Sequence, residues 1–172
     1  MVSEVLRVTS ILSFFTYMRG VGVSKIVFTG PESTGKTTAA TKYAQEAELP
    51  LVAEYARTYL AGKNTGEYRL SDLHKILEGQ QKAENAASAK HKLIVCDTDW
   101  LTIHIWALEK YGKRMTPPTD LKSRHYILCK PDIPWEPDPL RENQEDRDRL
   151  FALYEQTLQQ MGLSYDYFVR ST

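Results

Sequence analysis

The residues Gly30-Pro31-Glu32-Ser33-Thr34-Gly35-Lys36-Thr37 match the pattern G-x-x-x-x-G-K-[ST] with no mismatch. Glycines at these places let the backbone curl so that successive N–H groups face one anion. A lysine then reaches the β- and γ-phosphates, and the threonine hydroxyl is a magnesium ligand. An apolar run, Ile26-Val27-Phe28, leads in, and Thr38-Ala39-Ala40 leads out into a helical segment whose positive end adds to the anion site. Gly30 through Thr38 are therefore the expected nucleotide-binding stretch, with ATP and Mg2+ as its ligands.

Three carboxylates stand where the other half of such a site would lie, directly after apolar runs. Asp97 follows Leu93-Ile94-Val95-Cys96 and suits the acidic partner of a phosphate loop, orienting the metal directly or through water. Glu54 follows Leu51-Val52-Ala53, where a carboxylate takes the proton of an attacking hydroxyl or holds it in line. Asp99, two residues past Asp97, either faces an acceptor or caps the next helix. Glu32 sits inside the loop, towards substrate, metal or solvent. Arg141, Arg147 and Arg149 follow a proline-rich loop, and planar guanidinium groups there can close on a transferring phosphoryl group. The competing account is a charged surface helix, since Glu142, Glu145, Asp146 and Asp148 are interleaved. Arg57, one turn after Glu54, either pairs with it or holds substrate. Tyr55, Tyr59, Trp100 and Trp135 are candidates to stack a flat substrate, whereas Trp106 is assigned to the core. The four histidines lack ligand spacing and receive no role.

The elements that must position these groups follow from periodicity. Short apolar runs alternate with longer amphipathic ones from Lys25 onward, which predicts a parallel sheet with helices on both faces. Strands are expected at Lys25 to Thr29, Leu51 to Ala53, Leu93 to Cys96, Tyr126 to Cys129 and Tyr165 to Val169. Helices are expected from Lys36 to about Glu48, from Glu54 to Leu60, from a cap at Ser71 to Ala89, from Trp100 to Tyr111, and from about Asn143 to Met161. In open sheets of this kind the ligand lies beyond the carboxyl ends of the strands, where all three carboxylates fall.

A chain of 172 residues with 42% hydrophobic and 26% charged residues reads as one globular domain. Lysine plus arginine and aspartate plus glutamate both number 22, so no global field recruits nucleic acid or an anionic membrane. The two cysteines, Cys96 and Cys129, end apolar strands and read as buried free thiols, consistent with a cytoplasmic setting. Residues 1–22 read as an extension ahead of the domain at 23–172. The run Val5 to Met18 is too short and too polar to span a bilayer and lacks a cleavage site. Met18 reads as an initiator, the alternative being a short helix packed on the domain.

The combination of G-P-E-S-T-G-K-T, A-E-Y-A-R-T-Y, C-D-T-D-W and P-D-I-P-W-E-P-D-P-L-R, over about Lys25 to Arg170, resembles the ribosylnicotinamide kinase domain of NadR-type proteins and the single-domain ATPases similar to it. The resemblance implies a P-loop NTPase α/β fold with a five-stranded parallel sheet, ATP and Mg2+, and phosphorylation of a riboside hydroxyl, nicotinamide riboside first. By motif, Lys36 and Thr37 would hold phosphate and metal. Glu54, Asp97 and Asp99 would serve acceptor and magnesium, and Arg141 and Arg147 would be lid arginines. Two features depart from the family. Family members that take nicotinamide riboside carry tryptophan just before E-Y-x-R, where this chain has Ala53. The family also continues with a helix after the last strand, whereas this sequence stops at Thr172, so adenine-side contacts are expected to be missing. A nucleotide-dependent regulatory or partner-binding ATPase is the alternative function.

Overall fold

The computed structural model describes Met18, Gly20 and residues 22–63, 67–137 and 144–168. Five strands, β1 (Lys25–Thr29), β2 (Leu51–Val52), β3 (Ile94–Asp97), β4 (Arg124–Leu128) and β5 (Ser164–Tyr167), form one sheet in the order β2-β3-β1-β4-β5. All four pairings are parallel, with Val27 opposite Cys96 on one side and Tyr126 on the other. The connecting helices are α1 (Lys36–Glu46), α2 (Tyr55–Tyr59), α3 (Leu70–Ser88), α4 (Trp100–Tyr111) and α5 (Arg147–Gln160).

Side chains alternate between the two faces of the sheet, and each face has its own core. Val27, Ile94, Cys96, Tyr126 and Leu128 pack with Ala56 of α2, Leu73 and Ile76 of α3, Leu101 and Ile105 of α4, and Tyr154 and Leu158 of α5. Ile26, Phe28, Val95, Ile127 and Cys129 pack instead with Ala39, Ala40 and Ala44 of α1, joined by Met18. Alanines on α1 let that helix sit close to β1, so the phosphate loop between them is short and held at both ends. Cys96 and Cys129 are both buried free thiols.

Several boundaries differ from expectation. Helix α3 begins at Leu70, before the expected cap at Ser71, because Asp72 reaches back 2.8 Å to accept from the Arg69 backbone N–H. Strand β4 begins two residues early: Arg124 and His125 are as buried as the apolar residues after them, and their charge hides this in the sequence. Helix α1 stops at Glu46, after which Glu48 adopts a left-handed φ of 53°. Met18 is buried, while residues 1–17 of the expected extension, and Arg141, lie outside the described residues. No described helix is long and apolar enough to cross a membrane.

Asp72 also accepts from the Tyr59 hydroxyl (2.8 Å) and from Lys63 (3.2 Å), joining α3 to the turn after α2. The Arg69 N–H, the Tyr59 hydroxyl and Lys63 together hold its carboxyl down at about 2, below the ordinary 3.8. A depressed carboxyl contributes stability that is fully present above its unfolded value and lost as pH falls through the folded one. Asp72→Asn is therefore expected to lower the unfolding midpoint at neutral pH and to flatten the acid limb between about pH 4 and pH 2. Thermal unfolding of both proteins across that range checks it.

Candidate functional site

The phosphate loop leaves β1, the central strand, at Gly30. Its φ is +132°, and a Cβ there would sit 2.6 Å from the Cys129 carbonyl oxygen, so only glycine lets the loop cross the end of β4. Gly35, with φ +70°, precedes α1, whose N-terminus carries no side-chain cap. The first-turn N–H groups of α1 are thereby aimed at an anion. Lys36 lies along the loop, its Nζ donating to the Pro31 carbonyl at 2.6 Å.

A cavity of about 510 Å³ opens over this loop. Gly30 through Thr38 form one wall, so all the residues expected to hold nucleotide face it. Glu54 and Arg57 line it too, 3.8 Å apart, with Glu54 only 13% exposed. The opposite wall was not anticipated from the sequence. It is one face of α4, where Thr102, Ile105, Trp106, Glu109 and Lys110 recur at helical spacing, together with Tyr68. Trp106, assigned to the core from the sequence, is half-buried and lies 6.0 Å from the Tyr68 ring, at 31°, with the Lys110 ammonium 3.8 Å over that ring. The polar residues Thr102 and Glu109, seven apart and so on one side of the helix, are the signal that could have marked this face. Burial pushes the Tyr154 hydroxyl up, and the Glu32 and Glu54 carboxylates add to the shift, so both acids lie towards the same lining residue.

Asp97, at the end of β3, is 3% exposed, and its Oδ1 has no hydrogen-bond partner. Burial raises its carboxyl above the usual range, while the Thr37 hydroxyl and the Lys36 and Arg57 charges pull it back. A buried carboxylate oxygen with unused capacity beside the loop threonine fits a magnesium ion. A metal there would need few protein ligands, since phosphate oxygens and water supply the rest.

Other expected site residues are placed elsewhere. Asp99 has no exposed surface: Oδ1 caps α4 by accepting from Leu101 N–H (2.9 Å), and Oδ2 accepts from Arg124 (2.7 Å) and the Tyr126 hydroxyl (2.9 Å). Its lone pairs are committed to the interior, which leaves the capping role and not the acceptor role. Trp100 is 1% exposed and stacks on His104 at 4.6 Å, so it cannot touch substrate. Burial lowers the His104 ring, whose Nδ1 accepts from Met115 N–H. Tyr55 turns its ring onto Gly79 of α3, away from the cavity, and packs against the core. Trp135 is not among the lining residues; it lies 5.8 Å from the Arg147 guanidinium. Arg147 donates to the Ser33 and Ile133 carbonyls (3.1 and 3.0 Å), and Ser33 Oγ accepts from Glu136 N–H (2.9 Å). The arginine and the proline-tryptophan loop are thus latched to the phosphate loop itself. Arg149 pairs instead with Glu109 and Asp146.

Below the site, Lys25 and Arg124 meet Glu84, Asp99 and Asp120 in a buried cluster. Burial raises the Glu84 carboxyl, opposed by Arg124 and Lys25.

A glycine-rich loop between the central strand and α1, an acid at the end of the adjacent strand and a cavity over the loop define an α/β fold of the P-loop NTPase class. The chain belongs to the AAA domain family, whose model matches residues 25–169. Among solved structures it is similar to the NadR protein in complex with NR, at 21% identity and TM-score 0.68, over 92% of this chain and 50% of that one. It is also similar to the NadR protein in complex with NAD and AMP-PNP (19%, TM-score 0.63, 97% and 54%). A third is the YorR protein of Bacillus subtilis in complex with phosphorylated GDP (15%, TM-score 0.50, 84% and 85%). The chain spans about half the length of the NadR chains it matches. No curated protein matches it.

Removing one partner of a buried ion cluster strands the others, at a cost of about 3–5 kcal/mol. Arg124→Met is expected to destabilise by about that amount, and Arg124→Met with Asp99→Asn by less than the sum. Urea unfolding of the single and double variants checks both.

Proposed function

We propose that the chain is an ATP-dependent kinase that phosphorylates a hydroxyl of a riboside, with nicotinamide riboside as the leading acceptor. The observation that carries this reading is that one cavity joins the phosphate loop and Glu54 to an aromatic wall made by Tyr68 and Trp106. Phosphates at one end and a flat ring at the other are the two ends of such a reaction. Ala53, exposed at the end of β2, offers no stacking surface, and Trp106 with Tyr68 supplies one from the opposite side.

In this reading the loop N–H groups and Lys36 bind the β- and γ-phosphates. Thr37 and Asp97 would hold magnesium, which when bound offsets the phosphate charge. Glu54 accepts the proton of the acceptor hydroxyl as its oxygen bonds to the γ-phosphorus and the bond to the β-γ bridging oxygen breaks, releasing ADP. Arg147 is held at the loop rim, where its charge can meet that of the transferring group. Arg57, 3.8 Å from Glu54, orients its carboxylate. In the NadR structure NR is the bound ligand, which supports testing that riboside first.

A panel of ribosides with ATP and Mg2+ is expected to give acceptor-dependent ADP release. Lys36→Ala should lower it at least about 100-fold with an unchanged melting midpoint. Trp106→Ala should raise the acceptor KM about tenfold and leave the KM for ATP unaltered. Turnover retained in Lys36→Ala would sink the phosphate-loop assignment. Steady ATP hydrolysis indifferent to every acceptor would favour the regulatory ATPase instead.

A further inference from the structure

Glu54 and Asp97 are carried by different segments, one after β2 and one at the end of β3, and the proposed reaction needs both in register. A continuous set of hydrogen bonds joins these segments through a side chain that takes no part in the chemistry described above. Thr98, next to Asp97, adopts a left-handed φ of 63°, unusual for a β-branched residue. Its N–H donates to the Phe28 carbonyl of β1 at 3.0 Å. Its own carbonyl accepts from the side-chain amide of Gln80 at 3.4 Å. The other end of the same amide, Gln80 Oε1, accepts from the Tyr55 N–H at 2.9 Å, and Tyr55 directly follows Glu54. Gln80 itself lies in the middle of α3 and is 2% exposed.

Its neighbour Gly79 completes the arrangement. A Cβ on Gly79 would fall 2.1 Å from the Tyr55 ring, so the ring occupies the space that a side chain would fill. A mid-helix glycine is unfavourable by about 1 kcal/mol relative to alanine, and here the missing side chain is what allows the start of α2 to approach α3. That approach brings the Tyr55 N–H onto Gln80. A glutamine buried this deeply, with its acceptor on one site segment and its donor on the other, sets the separation between them.

We propose that Gln80 is a positioning residue that holds Glu54 in register with the Asp97-Thr98 turn, and that Gly79 is the spacing that lets it do so. The proposal rests on the kinase reading for the roles of Glu54 and Asp97. Neither residue touches the cavity, and neither binds nucleotide or acceptor.

The test is a double-mutant cycle. Gln80→Leu is expected to lower kcat by ten- to about a hundredfold, the range for a displaced catalytic group, with the KM for Mg·ATP changed less than threefold. Amide hydrogen exchange at Tyr55 should become faster. Because Gln80 acts through Glu54, the losses of Gln80→Leu and Glu54→Gln should fall well short of multiplying in the double variant. Losses that multiply, or a kcat unchanged per folded molecule, overturn the proposal. Gln80→Glu keeps the size and the acceptor for Tyr55, and serves if the leucine variant does not fold; it should lose less, and no loss at all overturns the proposal as well. Should the wild type phosphorylate no riboside, the kinase reading falls alone. The same cycle is then read on Mg2+-dependent ATP hydrolysis, with the same outcomes deciding it. A wild type that neither binds nor hydrolyses Mg·ATP overturns both.

Discussion

One carboxylate with no exposed surface fastens the helix that faces the cavity to the sheet beneath it. Asp99 caps α4 with one oxygen and with the other takes hydrogen bonds from Arg124 and Tyr126 of β4. A charge at that depth is tolerable only because both oxygens have donors and Arg124 supplies the opposite charge. Helix α4 therefore starts at one fixed place, directly after the Asp97-Thr98 turn. The direction of its first turn fixes where Thr102, Trp106 and Lys110 meet the cavity. The left-handed Thr98 is part of the same constraint, since the chain must turn from strand to helix within two residues.

The phosphate loop was legible in the sequence, since Gly30, Gly35, Lys36 and Thr37 are defined by their types and spacing alone. The five strands and their parallel arrangement followed from alternation of apolar runs, but their order did not. The rest of the cavity was less legible. Asp99 and Trp100 stand beside Asp97 in the sequence and look like site residues, but the first turn of α4 points them inward. Trp106 has the composition of a core residue, and only its position on the Thr102–Glu109 face distinguishes it. The burial of Lys25, Arg124 and His125 was hidden because polar side chains mask the strand pattern until the fold brings up their partners, Glu84, Asp99 and Asp120 for the first two and Asp166 for His125. Gln80 left no trace in the pattern, being one polar residue in a helix full of them. The glycine before it was the only local hint.

The proline-tryptophan loop and the phosphate loop are also tied more closely than separate motifs suggest. Ser33 accepts from Glu136 N–H with its hydroxyl, and its carbonyl accepts from Arg147, so the proline-tryptophan loop and the start of α5 meet at one residue of the phosphate loop. Anything that shifts Ser33, itself in a left-handed conformation at φ 52°, is felt by both.

The two faces of α4 have separate consequences. Its inner side, with Leu101 and Ile103, belongs to the core, Ile105 lies where core and cavity meet, and Trp106, Glu109 and Lys110 stand over the cavity. The two faces are nevertheless joined, since Trp106 also packs against the core and the Thr102 hydroxyl lies 3.5 Å from that of Thr29 in β1. A change of shape on the cavity side is therefore felt at the end of the central strand, directly before the phosphate loop.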